Sequence, residues 1–280
     1  MKLVNVCRFL LLLAPLHVRA HGDLHLQIEA VTKVIEKDPT NAELYLKRGE
    51  LHRAHQDWDA AEADYDQVIP LNPKLTVVDL ARGKMFLDAN WLLSAKVALD
   101  RFLLSHANHV DALVTRARTL VKLGKRLDAV LDYTHAIAGA AQPQPEMYLE
   151  RSQAWTNEGA AYFEQALKGL DEGMKRLGPL VVLQLCAIEV DLQQKNFEPA
   201  LARLERLAEQ SPRKEGWLKR RGEILQQAGR TVEAREAYRS ALTAMSSLPP
   251  SRRHVPAMLE LEKQIQAALE STGGPGPEKR

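Results

Sequence analysis

Cysteine is nearly missing from this sequence, with Cys7 and Cys186 as the only two in 280 residues. A disulfide-framed fold is therefore excluded, and no Cys/His cluster has the spacing of a structural zinc site. Aromatic residues make up only 5% of the chain, and stretches of alternating Val, Ile and Thr are few, so sheet structure is not expected. Charge of one sign is also missing: 38 Lys and Arg face 36 Asp and Glu. A broad electrostatic nucleic-acid footprint needs a basic surplus on one face, so a nucleic-acid partner is not expected. There is no phosphate-binding glycine loop, no HExxH pair and no nucleophile elbow, so the chain reads as a non-enzyme without a cofactor.

Long apolar runs are missing too, save one. Residues 1–20 hold Lys2 and Arg8, then eight apolar residues from Phe9 to Leu16, then Val18 and Ala20 where a signal peptidase requires small residues. Eight apolar residues are too short for a hydrocarbon layer of about 30 Å. The pattern predicts a cleaved signal peptide over 1–20 and export to the periplasm or medium, with no stable membrane insertion after cleavage. The competing readings are a buried amphipathic helix and a start codon placed too early. Cleavage removes Lys2, Arg8 and Arg19 and no acid, which leaves 35 basic against 36 acidic residues and a charge of −1. Cys186 then has no intrachain partner.

Leu and Ala are plentiful, and they recur with a period. Small residues form one series, Gly49, Gly83, Ala117, Ser152 and Gly222, in which Ile188 is the exception. A second series is Ala61, Ala95, Ala129, Ala166, Ala200 and Ala234, spaced by 34, 34, 37, 34 and 34. Four residues after each Ala stands Tyr65, Leu99, Tyr133, Leu170, Leu204 or Tyr238. Each unit therefore carries two amphipathic segments joined by a short polar turn such as His55-Gln56-Asp57 or Leu123-Gly124-Lys125. Two helices approach closely only where side chains are small, and bulky residues one turn away fill the remaining space. One such pair cannot cover its own apolar face, so neighbours must stack.

In these residues the sequence resembles the tetratricopeptide repeat family. The first unit matches best, with Tyr45, Gly49, Trp58, Ala61, Tyr65 and Pro73 at the family's aromatic, small and proline positions. The resemblance implies an all-α fold, a right-handed α-α superhelical solenoid of about six helix pairs. The expected repeats are 42–75, 76–109, 110–144, 145–180, 181–214 and 215–246, together spanning 42–246. A capping helix is expected over 21–41, with Leu24, Ile28, Val31 and Ile35 on one face. A second cap is expected over 247–270, followed by a disordered tail over 271–280. The fourth repeat departs from the pattern: it has two extra residues near Gly159 and glycines at Gly169 and Gly173, so an irregular second helix is expected there.

The resemblance also implies where a partner would bind, since in this family the first helices line a concave surface that takes a peptide or partner helix. One matching row is Leu46, Leu80, Val114, Leu149, Leu185 and Lys219, and another is Arg53, Leu87, Val121, Thr156, Leu192 and Gln226, apolar chiefly in the middle of the groove. Between them run Glu50, Lys84, Arg118, Gln153, Glu189 and Glu223, a row that changes from basic at Lys84 and Arg118 to acidic at Glu189 and Glu223. The expected partner is a protein or peptide with an apolar strip and a charge gradient. The alternative is that these aliphatics only complete packing between repeats. The Lys/Asn/Arg set with which some relatives clamp a terminal carboxylate has no counterpart.

Arginine recurs just before the small residue, and Asp64 and Asp132 lie sixteen residues beyond Arg48 and Arg116. Ion pairs Arg48–Asp64 and Arg116–Asp132 are expected; the competing reading is an anion-binding ladder. Two further readings stay open. Cleavage after Ala20 would expose His21 as a terminal chelator with His25 nearby, a nitrogen-rich set suited to Cu(II). The chain is otherwise an accessory subunit of an exported enzyme.

Overall fold

A computed structural model describes residues 17–272, and the described chain is helical, with no strand among these residues. Residues 1–16 of the expected signal sequence and most of the expected tail lie outside them, as does the side chain of His21; the last four residues of the expected signal sequence, 17–20, form the start of the first helix. The helices are α1 (His17–Ile35), α2 (Ala42–Ala54), α3 (Trp58–Leu71), α4 (Val77–Asp88), α5 (Leu92–Ser105), α6 (Val110–Lys122), α7 (Arg126–Gly139), α8 (Pro145–Glu158), α9 (Phe163–Leu177), α10 (Val181–Gln193), α11 (Phe197–Gln210), α12 (Glu215–Gln227), α13 (Thr231–Ser246), α14 (Pro250–Arg253) and α15 (Pro256–Ser271). The chain divides into two compact units, Met1–Ala140 and Ala141–Arg280.

In the first unit α2/α3, α4/α5 and α6/α7 form packed pairs, and α1 lies on α2. Gly49 shows why a small residue recurs: a Cβ there would stand 2.5 Å from Cε1 of Tyr65, inside van der Waals contact. Tyr65 is fully buried and fills the layer together with Ala61, Val68, Val78 and Met85. Each next pair covers the apolar face of the last, through α3 on α4 and α5 on α6. First helices also touch one another, α2 with α4 and α4 with α6.

The turn inside a repeat has one geometry used repeatedly. Gln56, Asn90 and Gly124 take left-handed φ of 64°, 63° and 78°, and Lys195 and Gly229 repeat this in the second unit. The following amide closes the helix by bonding five residues back, as in Asp57 N–H to His52 C=O at 2.9 Å and Lys125 N–H to Leu120 C=O at 2.8 Å.

The second unit holds the pairs α8/α9, α10/α11 and α12/α13, with α15 packed on α13. Met258 and Ile265 of α15 join Tyr238, Ala241 and Met245 in one cluster, which closes the apolar face of the last pair. The fourth repeat corrects one expectation. Its extra residues form a separate 3-10 turn, Ala160–Tyr162, and α9 then runs unbroken through Gly169 and Gly173. The glycines serve close approach instead: a Cβ on Gly173 would lie 2.9 Å from the ring of Tyr148. Ile188 is fully buried and packs with Ala200 and Leu204, where the first and sixth repeats set a Gly against a Tyr and the second a Gly against a Leu.

Candidate functional site

Arginine positions tie the repeats together in both directions. Arg48 on α2 donates through Nε and Nη2 to Asp64 of α3 at 2.9 and 2.6 Å. Its Nη1 turns the other way and donates to Thr32 Oγ1 of α1 at 3.1 Å. Arg116 on α6 repeats the arrangement, with Nε and Nη2 to Asp132 at 2.7 Å each and Nη1 to Asp100 of α5 at 2.9 Å. Hydrogen bonding to Asp132 holds the Arg116 guanidinium above its already high ordinary pKa. Arg82 reaches only backward, to Asp66 of α3, because its forward position is Ala98. Arg151, buried on α8, bonds Glu172 at 2.6 Å and lies over the rings of Tyr148 and Trp155. In the fifth repeat the polarity reverses: Arg203 on α11 binds Asp191 of α10 at 3.0 Å and Asp171 of α9 at 2.8 and 3.1 Å. Arg221 on α12 lies 3.7 Å from Glu205 of α11, so each arginine of the recurring position stands beside a carboxylate, which leaves no basis for an anion-binding ladder built from them.

The backward arms to Thr32, Asp66 and Asp100 were missed in the sequence, although the same sixteen-residue spacing read in reverse contains them. In the Arg203 clasp Asp171 takes the repeat position of Asp66 and Asp100, but Arg203 and Asp191 stand where the other units carry different residues, so the clasp as a whole carried no such signal.

The first-helix face of the first unit is less apolar than the sequence implied. Leu80 and Val114 are buried, so both leave the expected groove for the core between repeats. Leu46, Leu87 and Val121 remain half-buried. Beside them, ion pairs link successive first helices. Arg53 donates to Asp88 at 2.6 Å and to Glu50 at 3.0 Å, and Lys84 meets Asp111 at 2.5 Å. Tyr65 donates its hydroxyl to Glu50 at 3.0 Å, and burial followed by the Glu50 charge pushes its pKa far up. Arg118 is exposed on α6.

In the second unit Leu149 and Leu192 are half-buried, and Leu185 is exposed on α10. Leu192 packs against the cluster that holds Ile188 and Leu204. Gln153 is exposed, with its amide on Thr156 and Asn157. Glu189 pairs with Arg220, and Glu223 with Lys219 at 2.6 Å. Matched charges at Lys84, Glu189 and Glu223 thus correct the expected gradient: at these three positions the polar row is neutralised by a partner on the same or the next first helix.

Two family profiles match the chain: "Tetratricopeptide repeat" over residues 12–75 and "Tetratricopeptide repeat-like domain" over residues 150–260. The chain belongs to the tetratricopeptide repeat family. Solved structures agree in fold. The C-terminal part of a tetratricopeptide repeat-containing protein from Cytophaga hutchinsonii superposes with a TM-score of 0.66 at 13% identity, covering 87% of this chain and 95% of that one. A tetratricopeptide repeat protein from Parabacteroides merdae gives 0.52 at 15% identity, covering 89% and 94%. YrrB, described as a tetratricopeptide repeat protein with an unusual peptide-binding site, gives 0.53 at 20% identity, covering 66% and 94%. The chain matches no curated protein.

Membership explains the helix pairs and the small-residue series. The family fold is a set of such pairs, each needing its neighbour. Among the described residues no group of three or more His, Cys, Asp and Glu is placed to hold a metal ion. None of the described helices is long and apolar enough to cross a membrane.

Proposed function

We propose that this tetratricopeptide repeat protein is a non-catalytic scaffold that binds an extended protein or peptide segment on its first-helix faces. The observation that carries this reading is the half-buried Leu87 and Val121 at one repeat position of α4 and α6, with half-buried Leu46 on α2, beside the ion pairs Arg53–Asp88 and Lys84–Asp111. An apolar strip next to fixed charges fits a segment with aliphatic anchors and alternating polar groups. YrrB, of the same fold, is named for a peptide-binding site, which supports the class of ligand.

The reading includes export, supported by the basic start, the apolar run Phe9 to Leu16 and the small residues Val18 and Ala20. The working chain then begins at His21.

Selection of a displayed peptide library on the purified chain tests the binding. Leu87→Glu and Val121→Glu are expected to weaken the selected peptides at least about tenfold while the thermal transition stays in place. Unchanged binding in both variants would remove the first-helix face as the site. The mass of the chain recovered from its native cells tests export, and a retained Met1 would refute it.

A further inference from the structure

The outer side of the first unit carries apolar residues that the repeat does not require. On α5 these are Leu93, Val97 and Leu104, and on α7 Leu127 and Leu131; their side chains are between 39% and 86% exposed. The register makes them unusual. Leu93 and Leu127 stand two residues before the small Ala of the second helix, and Val97 and Leu131 stand two after it. In the first, fourth and fifth repeats those positions are Asp59 and Ala63, Glu164 and Lys168, and Glu198 and Ala202. The fold is thus built elsewhere in the same chain with polar or small residues at these places. Folding therefore does not explain the apolar ones.

The two ridges adjoin. Both α5 and α7 pack on α6, and a cleft between them is lined by Leu103 and Leu104 of α5, Leu113 and Arg116 of α6, and His135 of α7. Residues 93, 97 and 104 fall on one stripe of α5 about 17 Å long, and 127 and 131 fall on one stripe of α7. Together they expose apolar surface on the order of 500 Å², near the upper end of the largest patch on an ordinary monomer.

We propose that this α5/α7 face joins two copies of the chain in a twofold dimer. Charge decides for a second copy. In a twofold contact each group meets the surface it belongs to, so an unbalanced charge meets its like, whereas an apolar ridge is its own complement. On α5 the charged groups beside the ridge are already matched inside the unit: Lys96 to Asp100 at 2.5 Å, Asp100 to Arg116 at 2.9 Å, and Arg101 to Asp79 at 3.6 Å; on α7 the exposed Lys125 and Asp128 flank Leu127 with opposite signs. The size fits as well. A stable interface covers about 800 Å² per partner, and the apolar ridge with a polar rim supplies that. Leu104, the most exposed of the five, stands beside the cleft and fills the cleft of the other copy. This assignment stands apart from the peptide reading, because its residues lie on second helices.

Sedimentation equilibrium of the purified chain, from about 1 to about 100 μM, tests it. The expected result is twice the monomer mass at the upper concentrations. Leu93→Glu with Leu131→Glu should weaken association at least about a hundredfold, and Leu104→Ser, which adds no charge, at least about tenfold, with far-UV circular dichroism unchanged. Val232→Glu, at the matching exposed position of the sixth repeat, should leave the dimer intact. A wild-type chain that stays monomeric throughout, as it would if the face served a different protein, overturns the proposal. So does a dimer that tolerates both Leu93/Leu131 and Leu104 changes, or one that Val232→Glu dissolves equally.

Discussion

Replacing Asp132 with Ala removes the forward half of the Arg116 clasp. Asp132 is 4% exposed and accepts two guanidinium bonds of 2.7 Å, and the Arg116 side chain is 25% exposed. Truncating one partner of a fully buried pair costs about 3–5 kcal/mol, most of it from the charge left behind. Arg116 keeps Asp100 at 2.9 Å and some contact with water, so the expected loss falls lower, at about 2–3 kcal/mol. In a unit of this size that is a fall of about 6–12 °C in Tm. Urea unfolding followed by far-UV circular dichroism reads the loss directly. The double change Arg116→Met with Asp132→Leu removes both charges, leaves Asp100 with Lys96, and should return to within about 1 kcal/mol of wild type. A loss below about 0.5 kcal/mol for Asp132→Ala, or a double variant worse than the single one, would refute the clasp as an organising contact.

The left-handed turn positions give a gain: Gln56→Gly and Lys195→Gly, at φ of 64° and 59°, should each add about 0.5–1 kcal/mol in the same urea assay, since only Gly takes this conformation without strain. Gly49→Ala should do the reverse of a normal helical Gly→Ala change and cost about 1–2 kcal/mol, because its Cβ would stand 2.5 Å from the Tyr65 ring; a stabilised protein would refute the tight packing. Asp191 holds its proton to higher pH than an ordinary carboxylate because burial outweighs the Arg203 guanidinium. Between its unfolded and its raised folded pKa the native state binds more protons, so this group makes stability fall as pH rises through that window. Asp191→Asn should therefore make stability rise more steeply with pH across the acid range, and an identical slope in both proteins would count against the assignment. Tyr238, lifted to about 12 chiefly by burial and then by Glu223, should stay protonated in alkaline absorbance titration well beyond an ordinary tyrosine.

What could be read from the one-dimensional chain was whatever repeats within a helix or at a fixed spacing. The helix pairs follow from the small series and from the aromatic four residues after each Ala, because a close approach of two helices leaves a periodic mark. Arg48–Asp64 and Arg116–Asp132 were legible for the same reason: sixteen residues carry the chain through one turn and back to the same level. The contacts between repeats were not. Leu80 and Val114 look identical in pattern to Leu46, yet they are buried while Leu46 stays partly open. Their burial depends on how the neighbouring first helices tilt over them, and no spacing within one repeat encodes that tilt. The same holds for charge. Lys84 and Glu189 read as the two ends of a gradient until Asp111 and Arg220, each from the next first helix, come to lie beside them. The sequence specified the repeating layer, since each layer is a local product of turn, small residue and aromatic. Tertiary structure alone settled which side chains remain at the surface and with what charge, because those properties arise where one layer meets the next.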